Sequence, residues 1–296
     1  MNDTESVQRG DAPLDLCSTG DLVERLLDGQ RRAIEAAVRA RASLAAAIDA
    51  AASRLGDGDG RLVMAGAGAS GRLCVQDGAE LWPTFGWPAE RTLLVMAGGE
   101  QALVKSVEGV EDDARRARRE VQGHSIGPAD VVLAVAASGR SPWTVSWLGA
   151  ARERGAVSIG MAANPGTPLL DGAEYPVLLH TGAEVLAGST RLAAGTAQKA
   201  ALNTFSTGVM VRLNRTHDNL MVDMAAVNRK LDLRRVAMVR AILPDADDSS
   251  ILAALDRADG WVKLAVLIVQ GDEPESARRR LARGEGSLRR AMANNR

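Results

Sequence analysis

The sequence predicts an α/β protein: a doubly wound parallel sheet with helices flanking both faces. Three observations predict it. Five short, nearly continuous apolar runs, at residues 61–65, 92–97, 130–136, 156–161 and 175–180, alternate with helix-like or glycine-rich stretches. Runs of this kind suit strands buried on both faces beneath helical crossovers. Two of the runs end in glycine- and serine-containing loops, Gly66-Ala67-Gly68-Ala69-Ser70-Gly71 and Ala137-Ser138-Gly139-Arg140-Ser141-Pro142. With 296 residues, 46% hydrophobic and 25% charged, the chain can bury one large domain or two modest ones.

From the N-terminus, residues 1–17 read as a loose polar arm. Ser18 and Thr19 precede Asp21 and mark a helix start. Leu22, Leu26, Ile34, Val38, Leu44, Ile48 and Leu55 then give an alanine-rich helical region one apolar face. A break is expected near Asp28-Gly29, and Gly56-Asp57-Gly58-Asp59-Gly60 ends the region in a turn. After the strands, helices are expected over about 190–213 and 220–239, and Pro244 marks a boundary. Short amphipathic pieces follow at 250–256, 261–269, 273–283 and 287–293. The organisation is therefore an arm with helices (1–56), an α/β domain (57–239) and a small helical module (240–296).

Several function classes are excluded at this level. Lys plus Arg is 36 against 37 for Asp plus Glu, so no excess of positive charge draws the chain to nucleic acid or anionic lipid. Aromatic residues are only 3%, too few for a base-stacking surface. No apolar stretch approaches the ~20 residues that span a bilayer. The polar N-terminus has no apolar core of a secretory signal. A soluble cytoplasmic protein is expected, with no nucleic acid and no membrane as partner. Cys17 and Cys74 read as small buried hydrophobes, not a disulfide framework. His124, His180 and His217 fall in no metal-ligand pattern, so no metal is expected. No G-x-S-x-G elbow indicates a serine hydrolase.

The chemistry-bearing positions are the two loops. The first matches the G-x-G-x-x-G pattern after a strand and at the start of a helix. The acidic residue that would hold a ribose is missing, because the second strand runs into Ala97-Gly98-Gly99. A phosphate loop is therefore expected rather than a nicotinamide site; a tight strand–helix packing turn is the alternative. The second loop offers two hydroxyls around a glycine at the carboxyl end of a strand, the edge at which open α/β sheets bind ligands. Together the loops can encircle one phosphate through Gly68, Ser70, Gly71, Ser138, Gly139 and Ser141. Helix capping by Ser138 or Ser141 is the competing reading. A third cluster runs from Gly188 to Lys199. Ser189 or Thr190 is positioned to cap a helix whose first turns carry Thr196, Gln198 and Lys199. These line a pocket, or else cap a core helix with a snorkelling lysine. By pattern alone Glu80 and Glu111 are unremarkable, and Asp112 and Asp113 suit the first turn of an Arg-rich helix.

The stretches MAGAGASGRL, ELWPTFG, VMAGGEQALVKSVEGVEDD, VAASGRSPW, NPGTPL, GSTRLAAGTAQKAALN and NLMVD resemble the sugar isomerase (SIS) fold and, within it, the N-acetylmuramic acid 6-phosphate etherases. The resemblance covers nearly the whole chain. It implies an SIS-type sheet, a C-terminal module similar to ubiquitin-associated domains, and a homodimer. It implies cofactor-independent conversion of N-acetylmuramic acid 6-phosphate and water to N-acetylglucosamine 6-phosphate and D-lactate, in cell-wall amino sugar recycling. It assigns the two catalytic carboxylates to Glu80 and Glu111. Ser189 and Lys199 join the loops as substrate contacts, and Ala136 stands where other SIS loops often begin with a hydroxyl residue. Glu80 is expected to protonate the departing lactate oxygen and Glu111 to remove the C2 proton. Were 71–80 one helix, Glu80 would lie ~14 Å from the phosphate loop, so one carboxylate is expected to reach a site from the neighbouring subunit. Other expectations compatible with the loops are an aldose–ketose phosphate isomerase and a non-catalytic sugar-phosphate sensor, as in the related glucokinase regulatory protein.

Overall fold

The computed structural model describes residues 3–7, 13–56, 58–224 and 229–293, the side chains of 229–231 excepted. The chain forms two compact units, one of Met1–Gly78 with Glu90–Val209 and one of Ala79–Ala89 with Met210–Arg296. In chain order the elements are α1 (Thr19–Arg39), α2 (Arg41–Gly56), β1 (Leu62–Gly66), α3 (Gly68–Ala79), α4 (Leu81–Phe85), β2 (Thr92–Met96), α5 (Gln101–Val104), α6 (Ala114–Gly123), β3 (Val131–Val135), α7 (Pro142–Glu153), β4 (Val157–Ala162), α8 (Pro168–Asp171), β5 (Tyr175–Leu178) and α9 (Ala193–Arg212). Then come α10 (Arg229–Ile242), α11 (Asp248–Arg257), α12 (Val262–Val269), α13 (Pro274–Arg283) and α14 (Leu288–Ala293).

All five apolar runs are strands of one parallel sheet in the first unit, in the order β2-β1-β3-β4-β5. The fold is α/β, as the sequence predicts. Every residue of β1, β3 and β4 is buried, whereas β2 and β5 at the edges are partly covered. Burying a Val or Leu side chain contributes roughly 1.5–3 kcal/mol, more than the ~1 kcal/mol span of strand propensity. Burial on both faces therefore selects these runs as strands. α7 packs on β1, β3 and β4, α8 on β4 and β5, and α2 on β3, β4 and β5.

The N-terminal ends of β1 and β3 are clamped by an ion pair. Asp130 accepts from Arg61 Nε (3.1 Å), Arg61 Nη2 (2.8 Å), the Arg61 N–H (2.9 Å) and the Gly127 N–H (3.0 Å). Burial works against ionisation of Asp130, but these donors outweigh it and hold its carboxyl below the usual range. Both carboxylate oxygens are used, which is the condition under which a largely buried charge is stable.

Four expectations are corrected. Residues 3–7 are not loose: Thr4 is 1% exposed and its N–H donates to Asn164 Oδ1 at 3.2 Å. Local polarity hid this, because the partner is 160 residues away. Residues 1–2 and 8–12 of that arm lie outside the described residues, as do Asp57 in the expected turn and 225–228 of the helix expected over 220–239. Within that helix, 220–224 are non-helical and α10 begins at Arg229. The break expected at Asp28-Gly29 is absent, and α1 continues to Arg39. Gly29 instead permits close packing, since a Cβ there would sit 2.9 Å from Val185 Cγ2. Cys17 is half-buried, its thiol directed to the Pro13 carbonyl at 3.4 Å, whereas Cys74 is buried as expected.

In the second unit, α11 to α14 match the four short amphipathic pieces. They share a core with Val222, Met224, Met238 and Val239. Lys263 is buried within it, its Nζ donating to the Asn214 carbonyl (2.7 Å), Asp223 Oδ2 (2.6 Å) and the Gly286 carbonyl (2.9 Å). Burial lowers the Lys263 pKa and raises that of Asp223, each partly offset by the other's charge.

Asp130→Asn is expected to lower stability by about 2 kcal/mol through the unpaired Arg61. Because the folded Asp130 pKa is depressed, its contribution is complete above the unfolded value of about 3.9 and is lost as pH falls through the lower folded value. Thermal melts of both proteins from neutral pH into acid check this: the gap in Tm should hold above about pH 4 and narrow below it.

Candidate active site

The strand order reverses between β1 and β3, which lie side by side with Gly66 opposite Val135. In an open α/β sheet the crevice beyond the carboxyl ends of such neighbours is where ligands bind. The two loops singled out in the sequence are the connections leaving these two strands.

After β1, the Gly71 N–H donates to the Ala67 carbonyl at 3.0 Å, an ordinary helical bond. The first-turn N–H groups of Gly68, Ala69 and Ser70 have no earlier turn to bond and face the helix N-terminus, a setting that favours anions. Gly66 and Gly71 serve packing: a Cβ on Gly71 would lie 2.5 Å from the Gly66 carbonyl oxygen. The Ser70 hydroxyl donates to Gln198 Oε1 of α9 at 3.0 Å, and both residues are buried.

After β3, Gly139 adopts φ +66°, and a Cβ there would clash with the Thr167 side chain. Its N–H closes a turn on the Ala136 carbonyl at 3.0 Å. Ser138 Oγ accepts from the Arg140 N–H at 3.2 Å. Ser141 precedes Pro142 at the start of α7 but makes no side-chain cap. Its hydroxyl instead donates to the Glu111 carbonyl at 3.2 Å. That bond ties the 3-10 turn Val110–Asp112 to the serine loop.

The result is a cavity of about 500 Å³ lined by Glu5, Glu111, Asp112, Ser138, Arg140, Ser141 and Pro142. Of the residues expected from the sequence, Glu111, Ser138 and Ser141 are brought together here. Gly68, Ser70, Gly71, Gly139, Ser189 and Lys199 are not among its lining residues. Ser189 sits in the turn before α9. Lys199 Nζ lies 3.5 Å from Asp77 Oδ1, and Asn203 also donates to that carboxylate. Glu80 lies in the second unit, exposed, at the N-cap position of α4 without a side-chain cap bond. α3 ends at Ala79, one residue before it.

The α9 cap differs from expectation. Neither Ser189 nor Thr190 caps it. The buried Glu184 accepts from the N–H groups of Ala193 and Ala194, both at 2.9 Å. A carboxylate there satisfies two first-turn donors and complements the helix dipole. Thr196 bonds Gln30 and Gln198 bonds Ser70, so the polar residues of the first turns join helices. Burial, with Asp77 nearby, pushes the Cys74 thiol far up, so it is protonated at neutral pH. Among the described residues, no group of three His, Cys, Asp or Glu is arranged to hold a metal ion.

Sequence reasoning missed Arg140 and Glu5 as lining residues. The signal for Arg140 was its place inside the serine loop; Glu5 had none, because only long-range folding brings the N-terminus to this edge. Gly139→Ala is expected to cost about 1–3 kcal/mol through positive-φ strain and the contact with Thr167. Chemical denaturation measures that loss, and titration with inorganic phosphate should show weaker binding.

The glucokinase regulatory protein N-terminal SIS domain family matches residues 43–151. The N-acetylmuramic acid 6-phosphate etherase of Deinococcus radiodurans is 46% identical over 98% of this chain and 94% of its own length. That of Rubrobacter xylanophilus is 44% identical over 99% of this chain and 96% of its own. A phosphoheptose isomerase from Francisella tularensis superposes with a TM-score of 0.47 at 17% identity, covering 65% of this chain and 98% of that one. By its full-length similarity to the Deinococcus radiodurans and Rubrobacter xylanophilus proteins, this chain belongs to the N-acetylmuramic acid 6-phosphate etherase family.

Proposed function

We propose that this protein is a carbon–oxygen lyase that converts N-acetylmuramic acid 6-phosphate and water to N-acetylglucosamine 6-phosphate and D-lactate, in cell-wall amino sugar recycling. The observation that carries this reading is the 46% identity, over nearly the full chain, to a relative named for that activity. The cavity that joins Glu111 to the serine loop supports it.

The ether oxygen on C3 lies β to the aldehyde of the open-chain sugar. Glu111 takes the C2 proton and an enolate forms. The C3–O bond then breaks, and the departing lactate oxygen takes a proton from Glu80. Water next adds across the C2–C3 double bond, its hydroxyl to C3 and a proton to C2, with the two carboxyl groups in reversed roles. Two positioned carboxyls divide proton removal and proton donation. The phosphate, remote from C2 and C3, supplies binding energy that holds the sugar for elimination. Ser138, Ser141 and the first-turn N–H groups of α3 are its assigned ligands, and Arg140 adds a cation. Lys199 or backbone N–H groups stabilise the enolate. A phosphomonoester carries a charge of about −1.5 to −2 at neutral pH, which keeps substrate and product in one compartment; we assign the reaction to the cytoplasm.

We also assign a homodimer. Val23, Leu27, Ile34 and Val38 are about half exposed or more and recur at helical spacing along α1. An apolar stripe of this kind supports a contact with a second copy.

Assay of D-lactate released from N-acetylmuramic acid 6-phosphate tests the activity. Glu80→Gln and Glu111→Gln should each reduce turnover by about 10²–10⁴-fold while calorimetry shows substrate still bound; unchanged turnover in either removes that residue from the mechanism. Leu27→Glu should shift the sedimentation coefficient from dimer to monomer. Loss of lactate release in that monomer is expected if one carboxylate serves the neighbouring subunit, and full activity would reject sharing.

A further inference from the structure

Glu5 shares the wall of the cavity with Glu111, Ser138, Arg140 and Ser141, although it comes from the far N-terminus of the chain. The 3-10 turn Asp3–Glu5 that carries it is anchored at three points. The Thr4 N–H donates to Asn164 Oδ1 at 3.2 Å, and Asn164 Nδ2 donates to Thr4 Oγ1 at 3.1 Å. The Gly188 N–H donates to the Thr4 carbonyl at 3.0 Å. Asp3 Oδ2 lies 2.8 Å from His180 Nε2. Thr4 and Asn164 are 1% and 2% exposed, so the anchor is sealed, while Glu5 beside it is exposed.

The anchor is shared with the serine loop. Asn164 Nδ2 also donates to the Ala137 carbonyl at 3.0 Å, one residue before Ser138. One buried amide therefore holds both the N-terminal turn and the loop assigned to the phosphate. Ordering the 3-10 turn costs conformational entropy, and two buried residues hold it so that Glu5 stands on the cavity wall.

We propose that Glu5 is a substrate-binding residue, its carboxylate accepting hydrogen bonds from hydroxyl or acetamido N–H groups on the sugar while the serine loop takes the phosphate. A carboxylate only accepts, and it repels a phosphate, so its partner is the neutral donor-rich end of the ligand. Thr4 and Asn164 are positioning residues that act through it. The proposal rests on the phosphosugar reading above and adds a specificity-determining contact to that site.

The test uses the full chain without an N-terminal tag. Wild type, Glu5→Ala and Thr4→Val are compared in lactate release, in thermal melts, and in calorimetric titrations with N-acetylglucosamine 6-phosphate and with inorganic phosphate. Glu5→Ala should raise KM and weaken sugar-phosphate binding roughly tenfold or more, the loss of one charge-assisted hydrogen bond. Its Tm, kcat and phosphate affinity should stay near wild type. Thr4→Val should reproduce the KM effect by releasing the turn. Unchanged sugar-phosphate affinity in Glu5→Ala, or an equal loss for inorganic phosphate, overturns the proposal. Were wild type to release no lactate, the etherase reading would fall, and the ratio of the two affinities would still decide the role of Glu5. A wild type that binds neither ligand overturns both.

Discussion

β1 and β3 run side by side, parallel and in register from Leu62 opposite Val131 to Gly66 opposite Val135, and the site depends on that pairing. Their carboxyl ends release the glycine loop and the serine loop at adjacent points of one sheet edge. Their amino ends are clamped by Arg61 and Asp130, whose carboxylate is saturated with donors. The sheet around them is rigid because its central strands are buried throughout. The phosphate cradle proposed for these loops would need that rigidity, since backbone and hydroxyl donors act at fixed distances and a shift of a fraction of an ångström weakens them.

Function is then layered on this frame by connections of very different sequence separation. Ser141 bonds the Glu111 carbonyl across 30 residues, so the turn carrying one assigned carboxylate is tied directly to the serine loop. Asn164 reaches back to Thr4 across 160 residues and forward to Ala137. The long connection from β2 to β3 and the short turn after β4 thus converge on one cavity. In the other unit, Glu80 stands before a five-residue helix whose Leu81 and Phe85 are buried, so its exposed position is set by the packing of its neighbours.

The glycines illustrate where local patterns mislead. Gly71 completes the fingerprint, yet its N–H is consumed within α3 and its missing side chain serves contact with Gly66. Gly29 suggested a helix break and instead lets Val185 approach. Ser189 and Thr190 had the composition of a helix cap, but Glu184 does that work from a buried position. In each case the local preference is worth only about 1 kcal/mol, and the tertiary arrangement overrides it.

Read alone, the sequence determined the five strands, the four short helices of the C-terminal region and the two glycine- and serine-containing loops that leave β1 and β3. Those features follow from burial periodicity and from glycine and serine placed after apolar runs, signals contained within a dozen neighbouring residues. It also carried the likeness to the etherases, through motifs spread along the chain. Only the tertiary structure decided that Glu111 joins Ser138 and Ser141, that Arg140 and Glu5 line the same cavity, and that the turn Asp3–Glu5 is held in place. Such contacts depend on strand order and on hydrogen bonds between segments as much as 160 residues apart, for which no local pattern exists.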